Sequence, residues 1–337
     1  MTRVLITCVG GAMMQSLLSE LKADPMLPLY IVGVDSDKNV VDHKNIDKFF
    51  LVPPGNEKHY SSVIFSIAKR ESIDVIIPLS DEEAFRLSEK KNEFEAIKVK
   101  VLVSPLKVLK LLEDKVSTYE VLQKMGIRVP AYRTVNNIRE LKKQISFYGY
   151  PNKSVIIKPV LGRGGRGVNL LLGRIVPPDW VATGKRESRL ISLPDQETLR
   201  SFFCFGDLMV MPLLGKPVYD VDVLSINGKV EHIIVRERHN PVGIPFKGST
   251  ISKDPLIYNY CVQICEALGL DGLHDIDLMT DANGIVYVLE VNPRPSGSIV
   301  ASHKLGFPIM SAAITRLRGV TYVMPSLNSI VLKNYQH

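Results

Sequence analysis

A lysine at the end of an apolar run and the glycine-rich loop after it form the most specific local feature of the sequence. The run Val155–Pro159 contains Lys158, and the loop Gly162–Val168 holds four glycines and two arginines. A lysine in an apolar strand is costly to bury unless its ammonium meets an anion. Glycines allow backbone N–H groups to approach phosphate oxygens closely. The pattern predicts a phosphate-binding strand and loop, although taken alone it fits a mobile surface hairpin equally well.

Two alternating segments, Asp275–Met279 and Val286–Asn292, are predicted to form a β-hairpin through the Asn-Gly pair at 283–284. On one face this turn pairs Asp277 with Glu290 and Asp275 with Asn292. Carboxylates opposed across strands repel, so a cation should neutralise them. A few oxygen ligands suit Mg²⁺ completed by substrate phosphates, with Mn²⁺ as the alternative ion. A solvated polar face is the competing interpretation, and a three-residue loop would remove the pairing argument.

Further polar clusters could contact substrates. Arg236 and Arg238 share one face of a predicted strand, and arginine binds carboxylates through two parallel hydrogen bonds. They are candidate contacts for a carboxylate substrate, and a charged solvent face is the alternative. The segment Ser80–Glu83 follows the fourth N-terminal strand, at the ligand-binding edge of a doubly wound sheet. A helix N-cap followed by acids in the first turn is the favoured role for this segment.

The N-terminal part of the chain alternates short apolar runs with helical patterns, which is typical of a parallel α/β sheet. A helix over Ala12–Leu21 follows the first strand. The predicted strands are Val4–Val9, Leu29–Val34, Phe49–Val52, Val75–Pro78 and Val99–Val103. A nicotinamide-binding fold is the obvious rival, but Cys8–Met13 is not GxGxxG and no Walker A motif occurs. This domain is therefore predicted to be a substrate platform.

Composition narrows the function classes. The chain has 337 residues, 45% of them hydrophobic and 23% charged, with a mean hydropathy of +0.09. These values predict two or three globular domains. A net charge of +7 favours anionic ligands, but the basic residues are scattered, so we expect no nucleic-acid partner. The four cysteines lack metal-ligand spacing, and no run is apolar and long enough for a membrane span. We expect a cytoplasmic protein without a membrane partner.

The order of these motifs resembles the ATP-grasp superfamily, and most closely the single-unit relatives of the carbamoyl-phosphate synthase large subunit. The resemblance covers nearly the whole chain. It rests on Asp114-Lys115, on Val155–Pro159 with its glycine loop, on Asp277, and on the run Glu290–Arg294. Each motif alone is weak, but their combination is specific.

The resemblance implies a role for each matching position. Lys115 and Lys158 match residues that hold nucleotide phosphates, and Arg294 matches the arginine that stabilises the transferring phosphoryl group. The lid over the phosphates corresponds to Gly162, Arg163, Gly164, Gly165, Arg166 and Gly167. The Mg²⁺ ligands correspond to Asp277, Glu290 and Asn292. The strand that grips adenine and ribose includes Val210 and Met211, but Met211 stands where a glutamate is expected. Val218 likewise replaces a second ribose-binding acid, and Asp220 or Asp222 could substitute for it.

The sequence therefore predicts an α/β and α+β protein with an N-terminal doubly wound parallel sheet and a two-lobed ATP-grasp unit. The predicted domains are residues 1–112, a small lobe at 113–207 with the lid, and a large lobe at 208–337 with the metal site. The predicted activity is ATP-dependent ligation of a small carboxylate to an amine or ammonia through an acyl phosphate, and a homodimer is the assembly to test. The alternatives are a catalytically silent or regulatory nucleotide-binding member of the fold and a nicotinamide-dependent oxidoreductase.

Overall fold

Three β-sheets organise the molecule. The computed structural model describes residues 1–40, 44–162, 166–175, 188–190, 192–239, 248–325 and 334–335. Within these residues the sheets contain five, five and six strands, and they follow one another along the chain. The predicted fold class, a parallel N-terminal sheet followed by two further lobes, is confirmed.

The N-terminal sheet is parallel, with the strand order β3-β2-β1-β4-β5. Its strands are β1 (Thr2–Ile6), β2 (Leu29–Asp35), β3 (Lys48–Leu51), β4 (Val75–Ile77) and β5 (Lys100–Val101). Its helices are α1 (Met14–Ala23), α2 (Tyr60–Arg70), α3 (Asp81–Glu89), α4 (Lys91–Ala96) and α5 (Leu106–Glu113). All five predicted strands are present, and α1 begins two residues after the predicted start. The strand order reverses between β1 and β4, the point where open α/β sheets offer a crevice.

The second sheet has the order β6-β10-β7-β8-β9 and is antiparallel except between β8 and β9. Its strands are β6 (Arg133–Val135), β7 (Val155–Pro159), β8 (Asn169–Leu171), β9 (Ser188–Leu190) and β10 (Leu208–Pro212). The helices of this segment are α6 (Lys115–Lys124), α7 (Ile138–Phe147) and α8 (Gln196–Ser201), followed by a short 3₁₀ turn at Phe202–Phe205. Leu141 and Ile145 of α7 cover one face of this sheet.

The third sheet is antiparallel, with the order β15-β14-β11-β12-β13-β16. Its strands are β11 (Val218–Ile226), β12 (Lys229–Arg238), β13 (Ser249–Ile251), β14 (Gly272–Thr280), β15 (Val286–Asn292) and β16 (Asn334–Tyr335). Its helices are α9 (Pro255–Leu268), α10 (Val300–Lys304) and α11 (Ile309–Leu317). This sheet carries most of the predicted site residues.

The packing of β10 and α6 supports domain limits that differ from the predicted ones. Strand β10, which the predicted boundary at 207/208 assigns to the large lobe, lies between β6 and β7 in the second sheet. Conversely, Tyr119 and Leu122 of α6 share a core with α9 and β11. We therefore propose that the boundary falls between β10 and β11 and that α6 belongs with the third sheet. The other face of that sheet packs through α11 towards α1 of the N-terminal domain.

Candidate active site

One face of the third sheet has an apolar half and a charged half. Side chains of a strand alternate between the two faces, so every second residue shares a face. The apolar half includes Leu224, Ile234 and Leu273, which lie in the core shared with α11. Two to four residues further along the three paired strands, the same face carries Asp222 and Asp220, Arg236 and Arg238, and Asp275 and Asp277. The candidate site lies at this charged half.

The β14–β15 hairpin places one pair of acids and one acid–amide pair on this face. Asp277 lies opposite Glu290 and Asp275 opposite Asn292, so the predicted pairing is confirmed. The predicted two-residue turn is wrong, because the amide of Asp281 donates to the carbonyl of Ile285 at 3.0 Å across a three-residue loop. Gly284 has φ +76, as the last position of such a loop requires.

A β-bulge restores the predicted pairing. The register shifts between Asp277 and Leu278, because Leu289 is an additional residue on β15. Without this bulge, the register of the loop would place Glu290 opposite the apolar Ile276. A one-residue slip exchanges the faces of a strand, so the bulge keeps Glu290 on the charged face.

Cations already neutralise the opposed carboxylates. Arg238 Nη2 donates to Asp277 Oδ1 at 2.6 Å, and Lys115 Nζ lies 3.3 Å from Glu290 Oε1. Burial raises the pKa of Asp277 to about 7, against the lowering effect of Arg238 and with further increases from Asp220 and Glu290. Arg238 and Lys115 thus supply positive charge between these strands, and the Mg²⁺ site at this hairpin stays a prediction.

The oxygen donors at this end of the hairpin fit a divalent cation. Asp277 and Glu290 offer carboxylates. The Asn292 amide nitrogen donates to Asp275 Oδ2 at 3.0 Å, so the amide oxygen is the Asn292 atom that could bind a cation. Carboxylate oxygens of Asp220, Asp275 and Asp277 also lie within 4.8 Å of one another. Arg238 Nη2 contacts Asp220 as well as Asp277, so its guanidinium supplies the positive charge within that group.

Lys158 is a buried ammonium with neutral oxygen partners. It is 8% exposed, and its Nζ lies 3.4 Å from both the Tyr119 hydroxyl and the Leu289 carbonyl. It lies 5.5 Å from the centre of the Tyr119 ring. Within the described ranges it makes no ion pair at 4.0 Å or less. Burial lowers the pKa of Lys158, opposed by the attraction of Glu290 and Asp277. Such a lysine is prepared to accept an anion.

Lys115 occupies the first position of α6, where the helix dipole disfavours a cation. Asp114 caps the helix by accepting from the amides of Val116 and Ser117 at 2.9 and 3.1 Å. The Lys115 ammonium also donates to the Gly162 carbonyl at 2.5 Å, which joins it to the start of the glycine loop. Burial lowers the pKa of Lys115, and Glu290 raises it. Lys115, Lys158 and Glu290 therefore meet at one point, although they come from different parts of the chain.

Two described glycines of the loop are sterically required. Gly162 has φ +139 and Gly167 has φ +73, conformations that other residues rarely adopt. A Cβ at Gly167 would also approach Pro159 Cγ to 2.8 Å. The predicted contacts Arg163, Gly164 and Gly165 lie outside the described residues. Arg166 contacts Glu82 of α3 at 3.5 Å.

Arg294 follows β15 and is held by carboxylates from two domains. Its Nε lies 3.1 Å from Asp81 Oδ1, and its Nη1 lies 3.7 Å from Asp275 Oδ2. Nη1 also donates to the Pro295 carbonyl at 2.9 Å. The cleft beside it is lined by Asp81, Phe85, Leu112, Glu113, Gly162, Glu290, Val291, Asn292 and Pro293. The N-terminal domain thus forms one wall of the site.

Arg236 has a different environment from the one predicted. It is fully buried and bonds Asp222 through Nε at 3.0 Å and Nη2 at 3.3 Å. Its Nη1 donates to Ser298 Oγ at 3.1 Å. Because no part of it reaches the surface, this geometry makes Arg236 a structural ion-pair residue rather than a substrate contact. Arg238 is 14% exposed, although it too is paired with acids.

The predicted adenine strand is packed on both faces. Val210 and Met211 of β10 are 0% and 3% exposed and pair with Ile157 and Ile156 of β7. Their side chains therefore belong to the core, so these two residues would meet a nucleotide through their backbone groups. Asp220 and Asp222, the predicted substitutes for missing ribose-binding acids, are engaged with Arg238 and Arg236.

The crevice of the N-terminal sheet is occupied by its own side chains. Glu83 is buried and accepts hydrogen bonds from Thr7 Oγ1 and, at 3.2 Å, from Cys8 Sγ. The Gly10 amide donates to Asp35 Oδ2 at 2.8 Å, which uses a group that a dinucleotide fold would offer to phosphate. This geometry does not favour the nicotinamide alternative.

Sequence reasoning missed two residues of the site. The Tyr119 hydroxyl lies beside Lys158 and donates to the Leu289 carbonyl at 2.7 Å, and no sequence signal distinguishes it from a core tyrosine. Ser80 caps α3 and accepts from the Glu83 amide, as expected, but Asp81 was not assigned its contact with Arg294. The switch-point rule placed Asp81 at the correct edge of the sheet.

Comparisons with known proteins agree with this fold. Residues 204–336 match the family model described as ATP-grasp in the biosynthetic pathway with Ter operon, and residues 4–102 match the PylC-like N-terminal domain. In the described part of the chain, every helix is too short or too polar to cross a bilayer.

Carbamoyl phosphate synthase large chains are among the relatives. The chain is 24% identical to that of Clostridium acetobutylicum over 296 residues, which is 86% of this chain and 26% of the relative. It is 26% identical to that of Thermoplasma acidophilum over 303 residues, 84% of this chain and 27% of the relative. The chain therefore spans about a quarter of the length of these relatives.

Solved structures share the fold at low identity. The L-amino acid ligase from Bacillus licheniformis has a TM-score of 0.64 and 18% identity, covering 93% of this chain and 74% of that one. The N5-carboxyaminoimidazole synthetase from Staphylococcus aureus complexed with ADP has a TM-score of 0.67 and 17% identity, covering 96% and 79%. The biotin carboxylase domain dimer of Hydrogenobacter thermophilus 2-oxoglutarate carboxylase, in complex with MgADP, ADP and bicarbonate, has a TM-score of 0.68 and 18% identity, covering 98% and 72%.

The family models, the relatives and the solved structures all agree with the three-sheet fold described above. The chain carries a PylC-like N-terminal domain followed by an ATP-grasp domain, and it is homologous to the carbamoyl phosphate synthase large chain.

Proposed function

We propose that the protein is an ATP-dependent ligase that joins a small-molecule carboxylate to an amine or ammonia through an acyl phosphate. The observation that supports this most is the buried ammonium of Lys158, whose partners in the described part of the chain are neutral oxygens, next to the Lys115–Glu290 pair. A desolvated cation beside a second cation and an acidic hairpin end is a suitable place for a polyphosphate.

The proposed reaction has two displacements. An oxygen of the substrate carboxylate attacks the γ-phosphorus of ATP, and the bond to ADP breaks. The nitrogen of the amine then attacks the acyl carbon of the acyl phosphate, and inorganic phosphate leaves with the oxygen that joined the two groups. The intermediate divides one difficult step into two easier ones, because a free carboxylate is inert towards amines at neutral pH.

Three cationic side chains are suited to the phosphoryl transfer. Lys115 and Lys158 would hold nucleotide phosphates, and binding would draw Lys115 away from Glu290. Arg294 lies beyond the end of β15, where it would stabilise the charge that develops on the transferring phosphoryl group. Positioned cations supply most of the acceleration in such reactions, since phosphoryl transfer requires little other help from the protein.

Asp277, Glu290 and Asn292 would hold Mg²⁺, with Mn²⁺ as the alternative ion. Their oxygen donors suit a hard divalent cation, and the pairing of the two carboxylates with Arg238 and Lys115 supports a place for positive charge at this point. When bound, the ion would neutralise the phosphate charges against the acidic hairpin.

For the carboxylate substrate we propose Arg238, and not Arg236, as the contact. Its side chain is partly exposed, whereas Arg236 is closed off by Asp222, Ser296 and Ser298. A substrate carboxylate at Arg238 would compete with Asp277 for the same guanidinium. Small-molecule partners and a homodimer complete the proposal, and light scattering of the purified protein tests the dimer.

A catalytically silent or regulatory nucleotide-binding role is the second candidate. It is favoured by Met211 and Val218, which stand where ribose-binding acids are expected, and by Asp220 and Asp222, whose carboxylates are engaged with arginines. This role predicts nucleotide binding without turnover.

A screen for ADP formation tests the proposal. Amino acids, amino sugars and uronic acids are offered with ATP, Mg²⁺ and ammonium or amine, and ADP is measured. The proposal predicts ADP formation that requires both ATP and one class of carboxylate. Lys158→Met should abolish it, whereas Lys143→Met, at a lysine 71% exposed on α7, should not.

The result separates the candidates. Nucleotide binding that Lys158→Met weakens, with no carboxylate-dependent ADP, would support the silent role. Loss of ADP formation in both lysine variants alike would contradict the role given to Lys158.

A further inference from the structure

We propose that Asp81 of the N-terminal domain is a positioning residue that orients Arg294 for phosphoryl transfer. The inference rests on the proposed function, and it assigns the N-terminal domain a part in the chemistry of the ATP-grasp domain. Asp81 itself would touch neither nucleotide nor substrate carboxylate. It would act through the guanidinium of Arg294.

The contacts of Arg294 show how it is held. Asp81 lies 3.1 Å from Nε, and Asp275 lies 3.7 Å from Nη1. The side chains of Arg294 and Asp81 are 16% and 6% exposed, so the pair is protected from water and from screening by salt. Asp275 Oδ1 is buried and has no hydrogen-bond partner among the described residues. A guanidinium between two carboxylates can turn towards either of them, and the Asp81 contact keeps it from turning fully towards Asp275.

Asp81 is itself rigidly placed. It is the first residue of α3, where the helix dipole stabilises a carboxylate, and Ser80 caps the helix. Two residues further on, Glu83 is fixed to the end of β1 by Thr7 and Cys8. Gly55 packs so closely that a Cβ there would lie 3.0 Å from the Glu83 amide nitrogen. The core of the N-terminal domain therefore determines the position of the Asp81 carboxylate.

The same turn of α3 meets the glycine loop. Glu82, the next residue, lies 3.5 Å from Arg166 Nη1. Asp81 and Phe85 line the cleft opposite Glu290 and Asn292. The first turn of α3 thus touches a loop residue and the arginine beside the reacting centre, which is the arrangement a positioning element needs.

Removal of the Asp81 charge should misdirect Arg294. In Asp81→Asn the guanidinium keeps Asp275 as its acidic partner and should move towards it. A misplacement of about 1 Å can reduce a rate on the order of 10²-fold. We expect kcat to fall by about that factor while the KM for ATP stays within a factor of about two, since Lys115 and Lys158 are unchanged.

The experiment compares Asp81→Asn with Glu89→Gln, at the last residue of the same helix, where an exposed pair with Arg86 spans 3.1 Å. Both are also combined with Arg294→Lys. If Asp81 acts through Arg294, Asp81→Asn should add little to the loss caused by Arg294→Lys, and Glu89→Gln should have no effect in either background. Independent, multiplicative losses would overturn the inference. Asp81→Glu, which keeps the charge, should recover activity if Asp81→Asn folds poorly.

A second readout does not depend on turnover. The rate at which phenylglyoxal modifies Arg294, followed by peptide mass spectrometry on the nucleotide-free protein, should rise at least severalfold in Asp81→Asn and not in Glu89→Gln. An unchanged rate would overturn the positioning role. If the rate rises while no carboxylate supports ADP formation by the wild-type protein, the proposed function fails and the contact stands. If ligation occurs and Asp81→Asn keeps full kcat, the proposed function stands and the positioning role of Asp81 fails.

Discussion

Two regions of this molecule stabilise their acidic side chains in different ways. At the crevice of the N-terminal sheet, Glu83 is satisfied by the hydroxyl of Thr7 and the thiol of Cys8. At the end of the β14–β15 hairpin, Asp277 and Glu290 are matched by the cations Arg238 and Lys115. Both regions lie where their folds offer a ligand site, but only the second combines charges of both signs beside a cleft.

The difference indicates which acids can take part in chemistry. Neutral donors hold Glu83 in a fixed network, and burial raises its pKa against the lowering effect of these bonds. A carboxylate paired with a lysine or arginine can exchange that cation for another one when an anionic ligand draws the side chain away. We therefore assign structure to the N-terminal crevice and ligand binding to the hairpin end.

The largest expected effect is at Arg294. Arg294→Ala should lower kcat by about 10²–10³-fold, the scale of losing one preorganised donor to developing charge, while nucleotide binding stays nearly intact. Steady-state kinetics and nucleotide titration measure the two quantities. Arg316 lies on α11 and forms a partly exposed ion pair with Glu231. Arg316→Ala is the matched control and should leave both quantities unchanged.

The alanine variant also removes the cation of buried Asp81, so stability must be followed separately. Arg294→Lys keeps the charge without the planar fork and should remain folded with reduced kcat. A variant that loses stability but retains kcat when folded would place Arg294 in the same structural class as Glu83.

The next effect concerns the metal ligands. Glu290→Gln should raise the Mg²⁺ concentration for half-maximal activity by at least about tenfold, the lower bound for losing even an outer-shell partner of a metal. The apo protein should not become more stable, because Lys115 loses its counter-charge. Mg²⁺ titrations and thermal unfolding test both statements. Asp277→Asn added to this variant should cost less than the product of the single effects. Independent losses would mean that the two carboxylates do not bind one metal ion and that the hairpin end is only a charged surface.

Glu83 should show the opposite profile. Glu83→Ala leaves the Thr7 hydroxyl and the Cys8 thiol without their acceptor in a buried site, which should lower the free energy of unfolding by roughly 1–3 kcal/mol. The Mg²⁺ requirement should not change. Glu83→Gln retains an acceptor oxygen and should lose less. A large change in the Mg²⁺ requirement with intact stability would show that the two regions are not distinct in the way described.

The smallest effect tests another buried group with neutral partners. His303 accepts a hydrogen bond from the Met310 amide at 3.2 Å, and burial lowers its pKa to about 4 against the attraction of Asp24. Because the pKa in the folded state is below that of a free histidine, the stability it contributes is present above pH ~6.5 and is lost as the pH falls towards 4. The free energy of unfolding, measured with denaturant, should fall by about 1 kcal/mol between pH 6.5 and 5.5 because of this group. In His303→Gln this pH-dependent loss of unfolding free energy should disappear. In His59→Gln, at an exposed histidine, the loss should remain.

The sequence predicted which residues of the hairpin face each other better than it predicted the local structure behind that pairing. The pairing of Asp277 with Glu290 was predicted from a two-residue turn, yet the chain uses a three-residue loop and then a bulge at Leu289. The two deviations cancel. A turn type follows from its own residues, but a bulge depends on which side chains the adjoining sheet can accept, and no local pattern indicates this.

Long-range partners could not be predicted. Arg236 and Arg238 are the same residue type on the same face of one strand. What makes Arg236 structural is its contact with Asp222 on the neighbouring strand. The position of β10 in the second sheet likewise depends on its pairing with β6 and β7 rather than on its own sequence. The N-terminal strands were predicted well, because their apolar runs are buried on both faces of a parallel sheet.

The transfer of oxygen from carboxylate to phosphate tests the central claim most directly. The carboxylate identified by ADP formation is labelled with ¹⁸O in both oxygens, and the phosphate released during turnover with amine or ammonia is analysed by mass spectrometry. An acyl-phosphate mechanism predicts one ¹⁸O atom in each phosphate, because the oxygen that attacks the γ-phosphorus leaves with it. Unlabelled phosphate formed at the same rate as product would contradict the account, since ATP would then be hydrolysed by water and not by the substrate carboxylate.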